Sequence, residues 1–269
     1  MARIAGYGGN VLVGTQLVED CEDAWDELVD ADVTASADTS DYKVGSASAK
    51  FVCGDLLANG DIIATEAISS LDLSSYTQLL FWAKSSVAIN TAGDLQILLD
   101  DTAQCASPVV TLDIPILSAN TWKFCKATGT FTGATAIISV GVKLTANDPG
   151  AFTLRLDEIR AAKQVAGIKS WTLDYVMNVL ETTGFDSSGH KTFIPSVDEW
   201  SGSFEGYKDG APLAIGSSVG LELQESSTST QQWRGTAIIT AVHPATAIDG
   251  LVTYSYDFQG TRKLEIPTA

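Results

Sequence analysis

The residues of this chain that could carry catalysis are few, and their spacing does not suit it. Gly216-Ser-Ser-Val-Gly220 has the G-x-S-x-G spacing of a nucleophile elbow, which needs a strand, a sharp turn and then a helix to expose its serine. The next residues, Leu221-Glu-Leu-Gln-Glu225, alternate as a strand does. The two histidines, His190 and His243, are too few and too isolated for a histidine metal site. Asp100 and Asp101 are adjacent, and adjacent strand residues point to opposite faces, so they do not make the facing carboxylates of a glycosidase. Four cysteines, Cys21, Cys53, Cys105 and Cys125, allow three disulfide pairings once a protein leaves the reducing cytoplasm. Free buried thiols are equally compatible with them. A protein without enzymatic activity is expected.

The elements that carry these residues are strands. Thr, Ser, Val, Ile and aromatic residues alternate in short runs broken by Gly, Asp and Asn, an all-β texture. The best helical candidate is Asp23 to Val29. With 269 residues, 45% of them apolar and 18% charged, the chain is expected to fold as one or two packed domains rather than stay disordered. No apolar stretch approaches the roughly 20 residues that span a bilayer, so membrane insertion is not expected. Met1 to Gly14 holds one Arg and too short an apolar segment for a secretory signal, which implies a protein made and kept in the cytoplasm. The net charge of −17 opposes binding to a phosphate backbone, and no basic stripe offsets it.

The charge is unevenly spread. Residues 17–164 hold 21 acids, 9 bases and all four cysteines, whereas 1–16 with 165–269 hold 12 acids and 7 bases. At the junctions, Asn10 to Gln16 reads as a strand running into a turn and Val165 to Asp174 as a strand leaving one. Joined directly, they read as one hairpin with a Gly-containing turn, the kind of loop tip that accepts an inserted domain. Residues 17–164 are therefore read as an insertion into a discontinuous host, 1–16 and 165–269.

Within the host, Trp200-Ser-Gly-Ser-Phe-Glu-Gly206 puts Trp200 and Phe204 on one strand face. Val252, Tyr254, Tyr256 and Phe258 share another, and Ala237 to Val242 supplies a further strand of the same core. Between Leu180 and Pro195 the chain is polar and Gly-rich, too long for a tight turn. These segments, with Met1-Ala-Arg-Ile-Ala-Gly-Tyr-Gly-Gly-Asn10, Ile168 to Asp174, Glu181 to His190, Gly235 to Thr240 and Gly250 to Thr261, resemble the tail tube proteins of long-tailed phages and related contractile machines. The resemblance implies a tail-tube β-sandwich that self-assembles into hexameric rings stacked as a tube and joined to other tail proteins. It also implies a virion component assembled in the host cytoplasm, an extended loop near 181–195 reaching neighbouring subunits, and a lumen through which DNA passes without specific binding.

The 17–164 segment resembles carbohydrate-binding-module or galactose-binding-like jelly rolls. The resemblance rests on Val18-Glu-Asp-Cys-Glu-Asp-Ala-Trp25, Tyr42 to Phe51, Leu79-Leu-Phe-Trp-Ala-Lys84, Trp122 and Phe152 to Arg160; Cys21 stands where such modules often have Phe. It implies a structural calcium stapling the chain ends, with Glu22 and Asp157 at the ligand positions. Trp25, Trp82 and Trp122 are the candidates for a sugar-stacking platform, although Trp82 and Trp122 read better as core residues. The expected function is a tail tube subunit carrying an external jelly-roll decoration with glycan contact. The alternative is a non-catalytic glycan-binding surface or secreted protein built of β-sandwich modules.

Overall fold

The computed structural model describes residues 8–208, 210–226 and 231–267. Among them every element is a strand except one 3-10 turn, Ala103–Cys105, and the strands form two antiparallel sheets. The all-β expectation is met. The chain divides into two compact units, Val13–Lys163 and Met1–Leu12 with Gln164–Ala269. The Met1 to Tyr7 part of the first quoted motif lies outside the described residues.

Strand β1 (Asn10–Glu19) leads into the Val13–Lys163 unit. Beyond it come β2 (Leu28–Val29), β3 (Val33–Ala37), β4 (Ala49–Cys53), β5 (Ile62–Leu71), β6 (Gln78–Ser85), β7 (Leu95–Asp100), β8 (Val110–Asp113), β9 (Lys123–Thr128), β10 (Ile137–Leu144) and β11 (Phe152–Gln164). One layer runs β2-β5-β10-β7-β8. In the other, β11 pairs β4 on one side and β6 on the other, with β3 and β9 beyond them. Alternation decides what faces inward: Leu95, Ile97 and Leu99 of β7 and Leu154 and Leu156 of β11 enter one core together with Trp25, Phe51 and Phe81. Strand β6 is apolar without alternation because both of its faces are covered. Leu79 and Phe81 enter the main core, while Leu80 and Trp82 join Phe124 and Ala162 in a second small cluster, with Val44 and Trp122 against it.

Two local expectations fail here. Asp23 to Val29 is not helical; it holds only β2, and the main-chain N–H groups of Glu27 and Asp30 donate to the carbonyls of Thr65 and Ile63 on β5. An available sheet edge outweighs a short helical spacing. Nor does the chain turn at Gly14 to Gln16, since β1 runs unbroken to Glu19. Gly14 serves close approach instead: a Cβ there would lie 3.2 Å from Arg160 Cβ and 3.6 Å from Ala162 Cβ.

The second unit contains β12 (Ile168–Glu181), β13 (Phe193–Tyr207), β14 (Ser218–Gln224), β15 (Gln232–Ala245) and β16 (Thr253–Glu265), in the order β12-β13-β16-β15-β14, with β1 beside β14. Trp200 and Phe204 share the buried face as expected, and Phe204 stacks on its cross-strand partner Tyr256 with ring centroids 5.0 Å apart. The Trp200 ring lies 5.9 Å from that of Phe258, and its indole N–H donates to the Arg262 carbonyl at 3.0 Å. Gly260 and Gly235 admit this ring, because a Cβ on either would overlap it. The expected face on β16 is shorter than its alternation suggests. Val252 precedes the strand and is exposed, Tyr254 is half-buried, and only Tyr256 and Phe258 reach the core.

Candidate functional site

The strongest candidate surface is the far end of the β12–β13 hairpin. The two strands stay paired from Ile168–Gly206 out to Glu181–Phe193, and the Thr182 N–H donates to the Thr192 carbonyl at 2.8 Å beyond them. Among the described residues, nothing covers the pair from Tyr175 outward. Tyr175, Val176, Met177, Val179, Leu180, Phe193, Ile194 and Val197 are between 43% and 66% exposed. Both faces of this ribbon therefore carry bare large apolar side chains, with exposed Glu199 and Asp198 across from Val176 and Met177. A two-stranded ribbon is marginal in water without a third layer, and a contiguous apolar surface of this kind marks an interaction site. The sequence signal is the pair of runs Tyr175-Val-Met and Phe193-Ile, which do not alternate as a one-sided strand must; the polar loop expected between Leu180 and Pro195 is shorter than that span, because β13 begins at Phe193.

Glu22 and Asp157 lie in the other unit and grip the same segment. Asp157 Oδ2 accepts the main-chain N–H groups of Lys43 at 2.5 Å and Val44 at 3.0 Å. Both oxygens of Glu22 accept the Ser46 N–H at 3.0 Å, and Oε2 also takes the Ser46 hydroxyl at 2.5 Å. Asp157 is fully buried and its Oδ1 has no hydrogen-bond partner. Burial pushes this carboxyl up to about 7, against the two backbone donors and with added repulsion from Glu158 and Glu22. An unpartnered buried oxygen suits a hard cation, although among the described residues no three His, Cys, Asp or Glu side chains converge.

The tryptophans do not form a platform. Trp25 is fully buried edge-on to Phe51, 5.2 Å between ring centroids, and Trp82 is buried 5.0 Å from Phe124 in the separate cluster. Trp122 is half-buried, with its indole N–H donated to Asp41 at 2.7 Å. In Gly216 to Gly220, Ser218 opens β14, so the serine leads into a strand and no helix presents it. His243 Nε2 lies 3.1 Å from Asp257 on the exposed surface. All four cysteines are free and buried.

An acidic pocket of about 320 Å³ is lined by Leu17, Glu19, Asp20, Asp23, Glu66 and Ile68, among others. Burial pushes the Glu19 carboxyl from 4.5 up to about 7; the Cys21 N–H opposes the shift, and Asp20, Glu66 and Asp23 add to it. A carboxyl raised in the folded state binds its proton more tightly there, so the associated stabilisation is complete below the unfolded value and is lost as pH rises through the folded one. Between pH 4.5 and about 7 the parent should lose stability that Glu19→Gln retains. Denaturant midpoints measured across that range check this, and parallel pH profiles would contradict it.

No family model matches the chain, and no curated protein does. Two solved structures are similar to part of it: the tail of an empty gene transfer agent (GTA) particle, obtained by helical refinement with C6 symmetry, and the virion of a native GTA particle. Each is 14% identical and covers 40% of this chain, with 87% and 89% of the other chain covered respectively and a TM-score of 0.34 in both cases. A likeness of that size carries no functional weight by itself.

Proposed function

We propose that this chain is a structural subunit that associates with copies of itself through the β12–β13 ribbon to build the wall of a phage-type tail tube. The observation that supports it is the ribbon: eight large apolar residues stand uncovered on both faces of one hairpin, and neighbouring copies are a covering that would be present wherever the chain is made. A heterologous contact between identical subunits generates a ring when its rotation closes. The sequence resemblance supplies the kind of assembly, hexameric rings stacked around a DNA conduit in a virion tail. The unit 13–163 is then an outward decoration. A chain of net charge −17 suits a conduit that does not hold DNA. Buried indoles at Trp25 and Trp82 give no support to glycan stacking. Sedimentation velocity over a range of concentrations tests the reading: large discrete species are expected, and a monomer at every concentration and salt would remove it.

A structural calcium on Glu22 and Asp157 is part of the same proposal, supported by the unpartnered Asp157 Oδ1. A ligand bound to the folded state alone stabilises it by mass action, about 2.7 kcal/mol at a hundredfold excess over Kd. Chelator should therefore lower the melting temperature of the parent but not of Asp157→Asn, and melting indifferent to chelator and to added calcium would remove the metal.

A further inference from the structure

The outward face of the β2-β5-β10-β7-β8 layer is crossed by residues 101–109, which leave β7, make the 3-10 turn Ala103–Cys105 and return as β8. The buried Cys105 sits in this crossing with its Sγ 3.4 Å from Ser139 Oγ on β10. Polar groups collect beneath it. Asp100 is fully buried; its Oδ2 accepts the Thr102 hydroxyl at 2.7 Å and the Ser107 N–H at 2.8 Å, while its Oδ1 has no hydrogen-bond partner. Ser139, paired with Asp100 across β7 and β10, donates its hydroxyl to Glu27 Oε2 at 2.6 Å. One row along, Thr65 pairs with Gly141, and its hydroxyl is also buried without a partner. A Cβ on Gly141 would meet both Thr65 Cγ2 and Cys105 Sγ at 3.0 Å, which places these groups on one face under the crossing.

Of the five other buried acids among the described residues, Asp38, Glu158 and Glu222 meet Arg155, Arg160 and Arg234, while Asp94 takes the Asn147 amide and Asp157 the Lys43 and Val44 N–H groups in place of a cationic side chain. Asp100 and Glu27 make no ion pair among the described residues, and a desolvated carboxylate without a counter-charge is costly. We infer that a hard divalent cation of the calcium class binds beneath the 101–109 crossing, held by Asp100 Oδ1 and the Glu27 carboxylate, with the Ser139 and Thr65 hydroxyls lining the site. The donors are oxygens, two charged and two neutral, which is the mixture such a cation prefers. Glu27 is half-exposed and provides the entrance. This site is separate from Glu22 and Asp157, since it lies on the opposite layer and shares no residue with them.

The test is calorimetric titration of the full chain with calcium chloride into the millimolar range, the weak end of protein calcium sites. Parent and Asp157→Asn should both show the event, and Asp100→Asn and Glu27→Gln should each weaken it by about tenfold or more. If Asp100→Asn fails to fold, Glu27→Gln decides alone, because its amide oxygen still accepts from Ser139 and its position is half-exposed. No binding in the parent overturns the inference. So does binding that survives Glu27→Gln and Asp100→Asn unchanged, and binding lost only in Asp157→Asn overturns it while leaving the Glu22 and Asp157 site standing.

Discussion

Converting the cross-strand pair Leu180 and Ile194 to Lys and Glu should turn an assembling protein into a folded monomer. The two residues face each other near the end of the ribbon and are 56% and 50% exposed, so removing their apolar surface should shift the stability of the subunit by no more than about 0.5 kcal/mol. Opposite charges placed across the pair keep a favourable cross-strand contact. In an assembled wall both side chains would be buried, at roughly 1.5–3 kcal/mol each. Their loss at every contact, with charges now desolvated in their place, should weaken association by a factor on the order of a hundred to ten thousand. Sedimentation and circular dichroism of Leu180→Lys/Ile194→Glu check the two halves of the expectation. A variant that assembles as the parent does would show that the ribbon is not the contact.

The second large effect is expected at Trp200. Its ring fills the space that Gly235 and Gly260 leave open, touches Phe258, and carries a hydrogen bond to the Arg262 carbonyl. Trp200→Ala therefore removes a large buried side chain from the core of the second unit and should cost about 3–5 kcal/mol. Because the 13–163 unit has its own core around Phe51, Phe81 and Trp25, scanning calorimetry should show one transition moving to lower temperature while the other stays. Movement of both together would mean that the two units unfold as one.

Much of this fold was legible because the deciding information is local. Strict alternation placed Trp200 and Phe204 inward, ran a strand through Leu221 to Glu225, and thereby disposed of the serine motif. Trp82 and Trp122 read as core residues; Trp82 is buried in β6, which is covered on both faces, whereas Trp122 is half-buried against the same cluster. What was missed depends on partners distant in sequence. Gly14 has the same spelling whether it turns or packs against β11, and only the neighbouring Arg160 and Ala162 decide. The spacing from Asp23 to Val29 allows a helix until the edge of β5 offers hydrogen bonds. An apolar run on β12 looks identical whether it is buried on both sides or bare on both sides, which hid the ribbon. Asp100 and Glu27 are brought to one place by the register of β7 on β10 and of β2 on β5, and no spacing in the chain announces that.

Electron microscopy of the purified chain tests self-assembly through the ribbon most directly. Rings with an open centre are expected, stacking into tubes as concentration rises, with density for 175–180 and 193–197 lying against a neighbouring copy and the 13–163 unit on the outside. Single particles of one subunit at every concentration, or rings in which the β12–β13 ribbon remains uncovered, would contradict it.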